Sequence, residues 1–240
     1  MYCNGDTNDF GDLTLHRATE ADFDDIVQFL MSDFLFTEPL NRSINLTQSD
    51  AINLFRELTK TGITSSLSYL LRTRTGKIIA LRLASILDRP EKDNPDANEV
   101  VNNNNNNVNN NNVTNNIHSQ NANAAKITRI LSELEDKIWI LVNPRIKRLL
   151  CWVVISVDSH FTRRGLARKL LEYRLDEAEL MGCQGCITEA SAFNSQQLFR
   201  KLGYELLHEI KHCEWLDENG KQIFRCDDAT NSIELVYRPF

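Results

Sequence analysis

No window of the 240-residue sequence holds the roughly 18 consecutive apolar residues that a membrane-spanning helix needs. The N-terminus, MYCNGDTNDFGDL, has neither the basic start nor the apolar stretch of a secretory signal, so the expectation is a cytoplasmic protein with no membrane partner. A basic excess is missing too. The 27 Lys and Arg stand against 33 Asp and Glu, a net charge of −6, which argues against a nucleic-acid binder and makes any anion site a local feature. The six cysteines, Cys3, Cys151, Cys183, Cys186, Cys213 and Cys226, are too few and too irregular for a disulfide scaffold. Cys183 and Cys186 have metal spacing but lack a second pair, and His212 beside Cys213 is a poor substitute, so no metal is expected. What is present, 42% hydrophobic and 25% charged residues, suits one soluble domain with a sizeable core.

Along the chain, a tail over 1–12 gives way to LTLHRA, which alternates like a strand. Thr19 then precedes a helical pattern of Phe23, Ile26, Val27, Leu30 and Phe34. Pro39 marks a break, and TQSDAINLFRELTKTG reads as a second helix ending at Gly62. The apolar runs Leu67 to Leu71 and Ile78 to Leu87, parted by TRTGK, form a hairpin. Between Asn102 and Asn123, 14 of 22 residues are asparagine, too polar to offset the entropy of ordering; the span of about 90–124 is expected to be a disordered loop insertion. Ile127, Ile130, Leu131 and Leu134 share a helical face, and RLLCWVVISV suits a strand buried on both sides. A long helix from about Arg163 to Gly182 would bury Leu166, Ala167, Leu170, Leu171, Leu175 and Ala178. A strand (CITEAS), a short helix to Gly203 and two closing strands complete a mixed α/β chain, one domain over 13–240.

The junction VDSHFTRRGLARKLL, between the valine-rich strand and the long helix, has the makings of an anion site. Unpaired N–H groups at a helix start face outward, Gly165 lets a phosphate approach the backbone, and Arg163 and Arg164 add charge. A plain basic helix start fits the same residues. Only one glycine is present, so neither GxxxxGK(S/T) nor GxGxxG applies, which disfavours nucleoside triphosphates and NAD.

FTRRGLARKLL after CWVVISV resembles the acetyl-CoA-binding motif of the GNAT acetyltransferases, Gln/Arg-x-x-Gly-x-Gly/Ala, with Gly165 and Ala167 matching and Thr162 departing at the first position. The order of elements is also similar to that fold. The resemblance implies a mostly antiparallel sheet with splayed fourth and fifth strands and flanking helices. It further implies acetyl-CoA held by the backbone of Ile155, Ser156 and Val157, by the loop and helix start from Thr162 through Arg163, Arg164, Gly165 and Leu166 to Ala167, and by Asn194.

EPLN at Glu38 and SAFNSQQLFRKLGY resemble the insect- and nematode-type arylalkylamine N-acetyltransferases. That resemblance implies a general base at Glu38 and catalytic serines at Ser191 and Ser195. The chemistry requires such groups, since an alkylammonium with a pKa of about 10 must lose a proton before it attacks a thioester. Ser195 would supply a hydroxyl to the departing thiolate, with Tyr204 as a further candidate acid; Phe34, Phe36 and Phe193 either line an aromatic-amine pocket or pack. A solvated turn glutamate and helix-capping serines are the structural alternatives. The expected partners are acetyl-CoA and a small primary amine, an arylalkylamine first, a polyamine or protein amine second. A non-catalytic acetyl-CoA-binding module is the reading from a different class, and the oligomeric state is left open.

Overall fold

The computed structural model describes residues 10–90 and 122–240. The tail as far as residue 9 and the asparagine-rich span 91–121 lie outside the described residues. Two ends of those spans differ from expectation. Phe10 is buried, its ring edge-on to Tyr173 at 6.2 Å, and residues 122–124 belong to the first turn of a helix.

One seven-stranded sheet organises the described chain, in the order β1-β2-β3-β4-β5-β7-β6. Its strands are β1 (Thr14–Arg17), β2 (Tyr69–Arg72), β3 (Ile78–Asp88), β4 (Arg148–Val157), β5 (Gly185–Ala190), β6 (Glu205–Lys211) and β7 (Ser232–Pro239). All neighbours are antiparallel except β4 and β5. That pair is laddered through Leu150↔Cys186 and Cys151↔Ile187 alone, then diverges. β4 carries a bulge as well: Leu83 faces Val154 and Ala84 faces Trp152, which leaves Val153 as the extra residue. A bulge bends its strand and shifts the alternation by one. Trp152, Ile155 and Val157 therefore share one face, while Cys151 and Val154 share the other.

Onto the Val154 face pack α1 (Phe23–Phe29), α4 (Gln48–Ile63) and α5 (Ala122–Glu135), through Ile26, Phe55, Ile130 and Leu134. The Asp22 carboxylate caps the first turn by accepting from the Thr19 N–H at 2.9 Å and hydroxyl at 2.8 Å. The periodic segment beyond does not run on as one α-helix. It passes through a π-helical turn, Leu30–Phe34, into α2 (Leu35–Thr37), and α3 (Pro39–Ser43) restarts at the proline. Gly62 does not stop α4, which continues to Ile63; a Cβ there would lie 2.6 Å from that of Leu83, so glycine permits the helix to approach β3. A short α6 (Ile138–Leu141) follows α5.

On the opposite face lie α7 (Leu166–Glu172), α8 (Leu175–Leu180) and α9 (Phe193–Lys201). The single long helix expected over 163–182 is thus two, and it starts three residues later. Arg174, in the left-handed region at φ 51°, breaks it, and Ala167 and Leu175 are only half-buried. The cause is Arg82, a β3 side chain that is 1% exposed. Its guanidinium donates to the carbonyls of Leu170 (2.6 Å), Tyr173 (2.8 Å) and Leu67 (2.8 Å), and lies over the rings of Tyr69 and Trp152. Arg82 thereby gives the Tyr173 carbonyl a partner and adds a second donor to Leu170 O, which also accepts from the Tyr173 N–H at 3.4 Å; a cation is favoured at a helix C-terminus.

Replacing Arg82 with leucine removes the side-chain donor from three carbonyls, and we expect a loss of about 3 kcal/mol, read as a lower urea midpoint at unchanged slope. Lysine should recover only part of this, because one ammonium cannot span three carbonyls as the planar fork does.

Candidate active site

Glu38 stands between α2 and α3 with extended backbone (φ −74°, ψ 128°), and its Oε2 accepts from the Asn41 N–H at 2.7 Å. The carboxylate is therefore the cap of α3, with Pro39 pre-shaped for the first helical position. The residue is 8% exposed, and its Oε1 is buried with no hydrogen-bond partner. Burial pushes the carboxyl up to about 7, against the pull of the Asn41 and Leu40 amides, the Ser191 hydroxyl and the Arg42 guanidinium. The solvated-turn alternative is overturned by this burial.

Ser191, just beyond β5, lies close enough for its hydroxyl to draw that carboxyl's pKa down, so two segments more than 150 positions apart in the sequence converge. Ser195 is placed differently. Its hydroxyl donates to Ala192 O at 2.7 Å and accepts from the Ala192 N–H at 3.3 Å, which caps α9. Tyr204 is locked in the core, where its hydroxyl accepts from Trp152 Nε1 at 2.7 Å and burial raises its pKa. Phe34 packs edge-on against Phe55 at 5.7 Å, whereas Phe36 and Phe193 are exposed.

The cofactor-side residues follow from the divergence of β4 and β5. Ile155, Ser156 and Val157 pair with β3 on one edge, and the β4 register with β5 ends at Cys151, leaving the other edge open. Thr162 is exposed, and its hydroxyl donates to Ser159 O at 3.2 Å. Arg163 (φ 61°) and Gly165 (φ 74°) turn the chain into α7; a Cβ on Gly165 would meet nothing within 4 Å. Arg163 and Arg164 are exposed beside that opening, with Arg164 3.7 Å from Asp12. Leu166 is buried against β3 and can serve a ligand only through its backbone; Asn194 is exposed in the first turn of α9. An extended chain with a diphosphate fits this open edge and glycine mouth, with Arg163 and Arg164 as flanking charges.

Two connections have no signal in the sequence. Asp33, in the π-helical turn, accepts from the Ser159 N–H (3.1 Å) and hydroxyl (2.9 Å), tying the segment before Glu38 to the loop after β4. Arg42 pairs with Asp227 in the β6–β7 loop. Burial also lifts Cys183 to about 11 and Cys186 to about 12, so both are neutral thiols. Among the described residues no group of three or more His, Cys, Asp or Glu is arranged to hold a metal, and no helix is long and apolar enough to cross a membrane.

Residues 139–204, from the approach to β4 through α9, match the family model described as Acetyltransferase (GNAT) family. Over those residues the chain is similar to the GNAT acetyltransferases. Its fold is the GNAT fold, with the mostly antiparallel sheet, diverging β4 and β5 and flanking helices that the sequence resemblance implied, and with β4 and β5 paired parallel before they part. No curated protein sequence matches the chain. Among solved structures, the chain is similar to arylalkylamine N-acetyltransferase 2 from Aedes aegypti, at 26% identity over 95% of this chain and 99% of that one, with a TM-score of 0.75. It shares the fold of the Drosophila melanogaster polyamine N-acetyltransferase that forms N-acetylagmatine (18% identity, 95% and 100% covered, TM-score 0.72). It also shares the fold of Arabidopsis thaliana NAA60 in complex with acetyl-CoA (12% identity, 95% and 99% covered, TM-score 0.50).

The Glu38 carboxyl, at 4.5 when unperturbed and about 7 in this site, makes folding favour its protonated form. Stability from this group is full below about pH 4.5 and is lost as pH rises through 7, a span worth about 3 kcal/mol. Glu38→Gln should therefore match the wild type near pH 4.5 and exceed it in urea resistance at pH 8; equal stability at both pH values would contradict the assigned environment.

Proposed function

We propose that this GNAT domain is an acetyl-CoA-dependent N-acetyltransferase acting on a small primary amine, an arylalkylamine by preference, through direct attack in a ternary complex. The observation that carries the reading is the buried, partly unpartnered Glu38 carboxyl against Ser191, beside the open edge of β4. A carboxylate with a pKa near 7 is half ionised at neutral pH, which suits a general base. Glu38 takes the proton of the bound ammonium, Ser191 orients that carboxyl, and the neutral amine attacks the acetyl carbonyl. The thiolate, with a parent pKa of about 8.5, needs at most one hydroxyl donor. Ser195 is one turn from Ser191 and would have to release Ala192 O to serve. The bound cofactor supplies the acetyl thioester. Ile155, Ser156 and Val157 hold its extended arm, and the segment from Thr162 to Ala167, with Asn194, holds its diphosphate end.

The aromatic preference is supported by Phe36 and Phe193, exposed rings two residues before Glu38 and two after Ser191. A second reading, a doubly cationic amine, is favoured by Glu189. It lies on the same face of β5 as Ser191, its Oε1 is buried without a partner, and its neighbour Glu135 raises its pKa further instead of neutralising it.

A thiol-release assay with acetyl-CoA should show arylalkylamines turned over at least about tenfold more efficiently than diamines or N-terminal peptides, a preference of ordinary hydrophobic-pocket size. Phe193→Ala should raise the KM for an aromatic amine more than it lowers kcat. Tight cofactor binding with no turnover of any amine would sink the enzyme reading. Gly165→Val, which forces a β-branched side chain into a left-handed backbone at the mouth, should raise the KM for acetyl-CoA about tenfold or more while leaving the amine KM within about twofold.

A further inference from the structure

Arg42 is not spread on the surface like an ordinary helix arginine. Its backbone N–H donates to Glu38 O at 3.1 Å, and its Nη1 donates to the carbonyl of Thr37, the residue before Glu38, at 2.8 Å. Its other nitrogens face the β6–β7 loop: Nε donates to Asp227 Oδ1 at 3.1 Å, Nη2 pairs with the same oxygen, and Nη2 lies 3.6 Å from Asp228 Oδ2. Arg42 thus bonds the turn twice, by its backbone at Glu38 O and by its side chain at Thr37 O, and that side chain is itself gripped by two acids.

The loop supplying those acids is well anchored. Phe224 is fully buried in the core, and Thr230 Oγ1 accepts from the Phe193 N–H at 2.9 Å, at the start of α9. Asp227 and Asp228 are exposed (68% and 38%), and an ion pair of that kind adds little to stability. Its geometric effect is larger, because it fixes where the guanidinium sits.

We propose that Arg42 is a positioning residue of the site, clamped by Asp227 and Asp228 so that it closes the Thr37–Arg42 turn and stands as a fixed positive charge behind the Glu38 carboxyl. The proposal rests on the reading of Glu38 as the general base, and it makes the β6–β7 loop part of the working site. The groups acting on Glu38 are accounted for on each element around it. They are the Leu40 and Asn41 amides of α3, the Ser191 hydroxyl after β5, Arg42 itself, and on the loop the Cys226 thiol, neutral with its pKa raised to about 11, with the Asp227 and Asp228 carboxylates paired to Arg42. Arg42 carries the positive charge among them and opposes the desolvation that would otherwise keep the carboxyl protonated.

The test follows the Glu38 carboxyl by carbon NMR in protein labelled at glutamate, with E38Q identifying the resonance, alongside the pH profile of kcat/KM for amine acetylation. R42Q should raise the Glu38 titration midpoint by about one pH unit, the usual scale for losing a nearby opposite charge. R42K, which keeps the charge but not the fork, should raise it by less than half as much. In R42Q the acidic limb of the rate profile should move with the carboxyl. An unmoved midpoint in R42Q, or an R42K midpoint displaced by a full unit, overturns the proposal; the lysine variant decides it alone if R42Q does not fold. A midpoint that moves while the rate profile stays put leaves the placement of Arg42 standing and instead overturns Glu38 as the base.

Discussion

A guanidinium without a carboxylate partner occupies the middle of the sheet, and much of the architecture is arranged to keep it solvated by protein. Arg82 trades water for three carbonyls and two aromatic faces, a substitution tolerable only when every donor direction is met or nearly so. Burial lowers its pKa to about 10, which still leaves it charged at neutral pH. By holding the carbonyls of Leu170 and Tyr173, it fixes where α7 ends. The far end of that seven-residue helix is the Gly165 mouth beside the open edge of β4. A core interaction on β3 thereby determines where a surface loop presents its amides and arginines.

The site on the other face follows the opposite economy. Glu38 is capped into α3, touched by Ser191, and left with one buried oxygen unpaired. A structure selected for stability alone would satisfy or expose that oxygen. The two faces meet at the divergence of β4 and β5, and Asp33 bonded to Ser159 joins the segment before Glu38 to the loop before α7. The segment before Glu38 and the loop before α7 are thus braced on each other.

Much of this was legible in the sequence. The hairpin, the helix of Ile127, Ile130 and Leu134, the valine-rich central strand and the order of elements all rest on local periodicity, which survives without knowledge of neighbours. The junction at Gly165 and the EPLN turn stood out because glycine and proline constrain the backbone directly. What misled the reading were features with no local cause. The α7–α8 break at Tyr173–Arg174 involves neither glycine nor proline, and Gly62 looked like a helix stop when it was a contact with β3. The serines 191 and 195 looked equivalent by spacing, yet one touches Glu38 and the other caps a helix.

By itself, then, the sequence determined the elements and the chemical types at the site, because periodicity, capping and turn preferences act within a few residues. Only the tertiary structure decided which of those residues meet. In RLLCWVVISV nothing marks Val153 as the extra residue, yet that bulge sends Ile155 and Val157 to the α7 face. Likewise nothing in CDDAT points to Arg42, more than 180 positions away. Register and long-range ion pairs are set by packing against elements distant in the chain, and local sequence carries no record of those partners.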